Sequence, residues 1–524
     1  MKKFFRLIFG RLLWTGLLLL IELAFLVFVV FFLVGMLEDE QVWIFYIIFG
    51  VVWLFTFILM IFIINSEANT SYKSLWLVTV GIFPLIGATF YLLFGNKNAT
   101  KRMKRKVAPI KKAMKMIEPS EAYKEEIISH EDGNTAFNIS NYIRREAHTN
   151  IYNETETTYF KLGDDAFPVM IEELKKAEHY IFLEYFIIQK GKFWDAILDV
   201  LIEKAKAGLD VRVMYDDMGS IGTLPMRYPK KLEKLGIKCY AFNRFKPLLN
   251  VKLNNRDHRK ILVIDGHVGF TGGINLADEY INHIDRFGHW LDNAIMLKGR
   301  AVYALTQLFL TTWCSHFGTL PEVTNRKYYW DNYLPEGTKY KSDGYVQPYG
   351  DIPFDNVAVG ERVYLSLIYA AQKTLYITTP YLIIDDELEQ ALCTAATRGV
   401  DVKLLVPHIP DKKIVFGVTR SYYKKLIAAG VNVYEYTPGF VHEKIFICDD
   451  HIATVGTINL DYRSLLLHME NGVFLFNASC IKDMKEDFLA NIEKSELITS
   501  KRYKQIKKGK RFFWSLLRLF APLM

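Results

Sequence analysis

Two short stretches of the chain hold residue types that could carry out chemistry together. The first reads His258-Arg259-Lys260-Ile261-Leu262-Val263-Ile264-Asp265, and the second His442-Glu443-Lys444-Ile445-Phe446-Ile447-Cys448-Asp449. Each is trailed by a glycine-containing turn and an asparagine, Gly272-Gly273-Ile274-Asn275 and Gly456-Thr457-Ile458-Asn459, and the asparagine lies 17 residues after its histidine in both. One such motif is a weak signal, but two with matching flanks imply a duplicated unit whose copies supply one composite site.

The chemistry that suits these groups is displacement at a phosphodiester. A strand puts residues i and i+2 on one face, so His258 points with Lys260 and His442 with Lys444. Lysine ammonium groups and the amides of Asn275 and Asn459 can hold non-bridging phosphate oxygens and the charge that develops on them. One imidazole attacks phosphorus to give a phosphohistidine. The other protonates the departing alkoxide and later deprotonates the incoming alcohol. The expected catalytic set is His258, Lys260, Asp265, His442, Lys444 and Asp449. The two aspartates lie an odd number of residues from their histidines, beyond an apolar run, so parity turns them off the shared face to brace the strand end. Asp292 and Glu470 are candidates to orient a histidine ring, because an acid behind an imidazole fixes its tautomer. His289, His451 and His468 are read as structural or surface residues. No acidic cluster with divalent-metal spacing accompanies the motifs, no Walker loop is present, and the five cysteines are scattered without metal or redox spacing. A metal-free reaction without a cofactor is expected.

Positioning these side chains is the work of two similar successions of elements. Helix patterns at Phe167–Ala177 and Trp194–Ala207 alternate with strand patterns at Tyr180–Ile188, Val211–Tyr215, Lys238–Phe242 and Lys260–Ile264. The second half repeats this with helices at Glu361–Gln372, Glu387–Thr397 and Ser421–Ala429. Its strands are read at Leu375–Thr379, Val402–Val406, Asn432–Tyr436 and Lys444–Cys448. Such alternation predicts two α/β units with mixed sheets.

Three stretches near the N-terminus read as membrane segments: Leu12–Leu37 with the single charge Glu22, Val42–Ile64 with none, and Leu75–Phe94 with none. Each approaches or exceeds the roughly 20 residues that cross about 30 Å of hydrocarbon. Lys2, Lys3, Arg6 and Arg11 favour a cytoplasmic start, and the acid-free run Lys97–Lys115 favours the same side for the later part of the chain. Gly81, Pro84 and Gly87 permit a bent or re-entrant third segment, so an even number of crossings is expected, with the chain beyond residue 96 cytoplasmic. Lys97–Lys115 carries nine basic residues and Lys501–Arg511 seven. Without those 16 the remainder holds 49 basic against 57 acidic residues, which argues against nucleic acid as partner. Basic runs beside apolar sequence attract anionic headgroups, and the basic, aromatic C-terminus is expected to lie on the bilayer. The plan is then membrane-anchoring segments over 1–96, a basic linker over 97–150, α/β/α domains over 151–325 and 326–500, and a membrane-surface tail over 501–524.

With these residues in place the sequence resembles the phospholipase D superfamily, and within it the bacterial cardiolipin synthases. The likeness rests on Asp257-His258-Arg259-Lys260, Trp290-Leu291-Asp292, Thr379-Pro380-Tyr381 and Asn459-Leu460-Asp461-Tyr462-Arg463-Ser464, with the apolar N-terminal unit and the closing Ala521-Pro522-Leu523. It implies two tandem domains forming one pseudo-twofold active site. It also implies a membrane transferase that turns two phosphatidylglycerols into cardiolipin and glycerol, with His258 as nucleophile and His442 as acid and base by analogy. Phospholipase D-type hydrolysis is the rival reading. His468 departs from the asparagine usual for the family at that place.

Overall fold

The computed structural model describes residues 42–66, 69–95, 123–244, 255–317, 340–353 and 357–523. The segment Leu12–Leu37 with Glu22, and the basic run Lys97–Lys115, lie outside them. The described residues fall into an N-terminal unit and a much larger body.

In the N-terminal unit, Val42–Ile64 is one helix of 23 residues without acid or base in its first or last turn. Its rise is about 34 Å. Among the described residues, no helix is long and apolar enough to cross a membrane. The expected third segment is not one span. Thr70–Ile82, capped by the Asn69 side chain on Ser71 N, ends before Pro84, where Pro84–Phe90 starts anew and runs into a π-helical turn, Tyr91–Gly95. Proline lacks the amide the helix needs, which is the physical reason for the break. Leu59, Ile63, Tyr72, Trp76, Val80, Ala88 and Tyr91 pack together, while Phe57, Ile58, Phe62 and Ile82 face outward.

The body holds two mixed sheets with one strand order. In space the first runs Thr155–Phe160, Ala294–Gly299, Val268–Gly272, Lys260–Ile264, Tyr180–Tyr185, Asp210–Asp216, Lys238–Phe242. The second runs Tyr345–Asp351, Glu470–Phe476, Ile452–Gly456, Ile445–Cys448, Thr374–Thr378, Asp401–Pro407, Asn432–Tyr436, and adds Ser495–Leu497 at its edge. The parallel and antiparallel pairings also correspond. Each motif strand therefore lies mid-sheet, antiparallel to the first strand of a parallel trio. In register, Lys260 faces Tyr185 and Ile445 faces Thr378, so both motif histidines sit beside the carboxyl ends of the parallel strands. Ligand sites of open α/β sheets gather at that edge.

The sheets share a core. Phe182, Ile261 and Val263 of one and Tyr376, Leu405 and Ile447 of the other join Leu305 and Phe309 of helix Val302–Phe317 and Phe488 of helix Cys480–Glu493. Each such buried side chain contributes about 1.5–3 kcal/mol, so the halves are held as one body.

Two stretches differ from expectation. Part of the presumed linker folds as helices Lys124–Ile128 and Gly133–Glu146, whose Ile127, Ala136, Ile139 and Ile143 enter the second half's core at helical spacing. The helix expected from Ser421 starts at Lys413. Within the added turns Gly417 is where Trp514 packs; a Cβ there would come within 2.6 Å of the indole.

Candidate active site

Main-chain pairing between the halves brings the two motifs together. Gly439–Val441 lies parallel to His289–Leu291, and His442 N donates to Leu291 O at 2.7 Å. At the matching place Asp257 bridges to Met469, and His258 N donates to Met469 O at 2.9 Å. The acids that come next after these acceptors then reach across. His258 Nδ1 lies 3.0 Å from Glu470 Oε2, and His442 Nδ1 lies 2.6 Å from Asp292 Oδ2. Each imidazole is thus held by a carboxylate of the opposite half. A Nδ1–H donated to a carboxylate leaves Nε2 with its lone pair, the form a nucleophile or base needs.

The site is buried and flanked by aromatic rings. His258, Lys260, His442, Lys444, Asp292 and Glu470 are all buried. Phe186 meets the His258 ring at 4.8 Å, and Tyr280 stands edge-on to His442 at 5.4 Å. Lys260 Nζ donates to His258 O at 2.6 Å, and Lys444 Nζ bonds His442 O and stands 2.9 Å from His442 Nδ1.

Burial governs the charge states. It pushes the His258 imidazole down to about 3 even though Glu470 pulls the other way, and pushes His442 well below its ordinary value, with Lys444 and Lys260 adding to the effect. It lowers Lys260 to about 7 and Lys444 to about 8. Burial lifts Asp292 to about 7 against the pull of Lys444. Burial also acts to raise Glu470, but its contact with His258 outweighs that and holds the carboxyl well below its usual range. Burial therefore keeps both imidazoles neutral and brings the two ammonium groups close to losing their protons.

The motif aspartates stand elsewhere. Asp265 accepts from Glu178 N, His179 N and Tyr180 N at 2.7–2.8 Å, and Asp449 from Gln372 N, Lys373 N and Thr374 N at 2.6–2.7 Å. Both sit past the far end of their motif strand and brace the start of the neighbouring strand. Asn275 accepts from Ile187 N and donates to Tyr280 Oη at 2.8 Å, which puts it one residue removed from His442. Asn459 donates to Asp461, and its Oδ1 has no partner.

Sequence reasoning missed three contributors. Phe186 and Tyr280 come from outside the motifs and carry no local signal. His468, read as structural or surface, lies with its ring 5.4 Å from that of His258 and its Nδ1 3.6 Å from Glu470 Oε1. Its place two residues before Glu470 could have revealed it, since that spacing shares a face along an extended chain. Among the described residues, His258, His468 and Glu470 bring possible ligand atoms within 4.8 Å of one another.

Two mixed sheets of one strand order, each carrying a His-x-Lys motif, define an α/β protein of the phospholipase D-like class. A phosphatidylserine synthase of known structure from Haemophilus influenzae superposes on 74% of this chain and 99% of its own with a TM-score of 0.55, and at 14% identity that is a likeness of fold. The family described as "Cardiolipin synthase, PLD-like domain" matches residues 170–313 and 364–492, and a phospholipase D-nuclease N-terminal family matches 51–96. A cardiolipin synthase of Alkalihalophilus pseudofirmus is 37% identical over 86% of this chain and 88% of its own. Cardiolipin synthase 2 of Bacillus anthracis is 38% identical over 86% of each chain. The chain belongs to the cardiolipin synthase family of phospholipase D-like proteins.

Proposed function

We propose that the protein transfers a phosphatidyl group from one phosphatidylglycerol to another, forming cardiolipin and releasing glycerol. The observation that carries this reading is the crossed pairing of His258 with Glu470 and of His442 with Asp292, which gives one buried pocket two oriented imidazoles and two lysines. His258 Nε2 attacks phosphorus, and the bond from phosphorus to the glycerol oxygen breaks. His442 gives that oxygen a proton, so glycerol leaves as the neutral alcohol. A hydroxyl of the second phosphatidylglycerol then returns a proton to His442 and attacks phosphorus, and the phosphorus–nitrogen bond breaks. Burial keeps both imidazoles neutral, so the proton for the first step enters with the substrate: the anionic diester favours an imidazolium beside it. Lys260 and Lys444 offset the charge on the equatorial oxygens, with Asn275 and Asn459 in support. Exchanging one phosphodiester for another needs little driving force, in keeping with a chain that carries no Walker loop.

The helix Val42–Ile64 and the outward apolar side chains beside it serve as an anchor in the cell membrane, crossed an even number of times with the body on the cytoplasmic side. Helix Lys508–Arg518 buries Trp514 on the body and leaves Phe512 and Phe513 73% and 54% exposed among Lys508, Lys510 and Arg511, a face made for an anionic bilayer. Purified protein given phosphatidylglycerol vesicles tests the reading. Cardiolipin with an equal amount of glycerol is expected, whereas phosphatidic acid with glycerol makes the protein a hydrolase.

A further inference from the structure

The His258–Glu470 pair has a third neighbour that phosphodiester chemistry leaves unused. Both ring nitrogens of His468 are shut off from solvent and have no hydrogen-bond partner, and its side chain is only 10% exposed. Glu470 is fully buried; its Oε2 takes the bonds from His258 and from Thr457 Oγ1, and its Oε1 lies 2.9 Å from His258 Nδ1. That second oxygen stands 3.6 Å from His468 Nδ1, beyond hydrogen-bond reach. Leaving buried polar atoms unmatched costs about 1–3 kcal/mol each, so the two unpaired nitrogens of His468 beside this carboxylate call for an explanation.

A bound cation supplies one. Donors arranged tetrahedrally about a metal at about 2.1 Å stand about 3.4 Å apart, against 2.9 and 3.6 Å from Glu470 Oε1 to the two imidazoles and a span of at most 4.8 Å over all three groups. Two imidazoles and a carboxylate form the donor set of open zinc sites, whereas magnesium and calcium prefer oxygen alone. The other half offers an internal contrast. The residue matching His468 there is Trp290, and the Lys444 ammonium stands 2.9 Å from His442 Nδ1, where a cation would be repelled.

We propose that His258, His468 and Glu470 form a binding site for a zinc-like divalent cation, and that its occupation switches the enzyme off. The inhibitory consequence rests on the phosphatidyl-transfer reading above; the site itself does not. The metal takes the His258 Nδ1 lone pair where a proton now bridges to Glu470. That proton moves to Nε2, so the ring stays neutral but loses the electron pair that attacks phosphorus. The fourth metal position faces the pocket and takes water. The metal is then a reversible block and no part of turnover.

Titrating the full-length protein in lipid-free detergent with Co2+, followed by its visible spectrum, and with Zn2+, followed by calorimetry, separates the two claims. One equivalent is expected, with the spectrum of nitrogen and oxygen ligands. His468→Ala and His468→Gln should each weaken binding by more than about 100-fold, beyond what losing a supporting outer contact costs. His442→Ala should bind as the parent does. In vesicle assays Zn2+ should suppress transfer and a chelator restore it, Mg2+ should not, and the transfer left in His468→Gln should ignore Zn2+. Failure of the parent to bind, unchanged binding in both folded His468 variants, or thiolate bands from the cysteines would overturn the site. A chain that binds metal but makes no cardiolipin keeps the site and loses the proposed function.

Discussion

The two halves of the body share a strand order yet hold their histidines by different means. In the first half, the residue between the motif histidine and lysine is Arg259, buried against Glu184 at 2.6 Å and Asp257 at 3.2 Å. In the second it is Glu443, whose carboxyl burial pushes well above its ordinary value, with Asp487 and Asp292 adding to the effect. Where the second half has Thr457 bonding Glu470, the first has Gly273, and a Cβ there would collide with Asp292. A longer acid fixed by a hydroxyl faces a shorter one fixed by close backbone approach. Duplication thus preserved the scaffold while the charge around each imidazole diverged, so one ring can be a nucleophile and the other a proton carrier.

The strongest way to break the comparison is to remove each ring. His258→Ala and His442→Ala should both lower cardiolipin synthesis by about 10³-fold or more. A phosphodiester with a nitrophenolate leaving group needs no proton donor and tells them apart. His442→Ala should still release about one equivalent of nitrophenol in a burst, and His258→Ala none. A burst in His258→Ala alone would reverse the assigned roles.

Next comes the buried charge that differs between the halves. Arg259→Met leaves Glu184 and Asp257 unpaired in the core and should cost about 3–5 kcal/mol of stability. Glu443→Gln replaces a group already held neutral and should cost less than about 1 kcal/mol. Chemical denaturation of the two variants measures the contrast, and equal losses would mean that the halves are electrostatically alike.

The duplicated motif made the fold readable from the residues alone: alternation of period-two and helical patterns located both parallel trios, and the shared 17-residue spacing marked the repeat. What stayed hidden arises from distance along the chain. Glu470 and Asp292 could be named as ring-orienting acids, but only the cross-pairing of His289–Leu291 with Gly439–Val441 and of Asp257 with Met469 shows which ring each serves. The first turns of helix Lys413–Ala429 were not read from the sequence, and the Trp514 that packs on Gly417 lies far away in the tail. The outer strands Thr155–Phe160 and Tyr345–Asp351 lack strong alternation and owe their place to the neighbours they pair with.

The motif aspartates sharpen the comparison through stability. Each accepts three backbone N–H groups, but the Asp265 set includes the buried Tyr180 N, whereas the Gln372 N and Lys373 N partners of Asp449 lie at the surface. Water can replace a lost acceptor only at the surface. Asp265→Ala should therefore cost about 3 kcal/mol and Asp449→Ala about 1 kcal/mol. Folded protein of either variant should keep its turnover number. A loss of turnover without loss of stability would return these residues to the catalytic set.

The smallest effect is a pH limb that separates the lysines. Burial brings Lys260 to about 7 and Lys444 to about 8, below the ordinary lysine value, so each is charged at lower pH and loses its ammonium as pH rises. kcat/KM reports groups of the free enzyme. It should fall above pH 7 by about tenfold per unit once one lysine is neutral, and more steeply above pH 8 when both are. A bound diester favours the ammonium forms, so the limb in kcat should lie at higher pH than the limb in kcat/KM. Arginine stays charged throughout this range. Lys260→Arg should delete the lower limb and Lys444→Arg the upper, each at some overall loss because a planar guanidinium fits a lysine's place poorly. If kcat/KM instead declined only near the ordinary lysine value in the parent, the ammonium groups would be better solvated than their buried positions imply, and the pocket would have to neutralise its phosphate by other means.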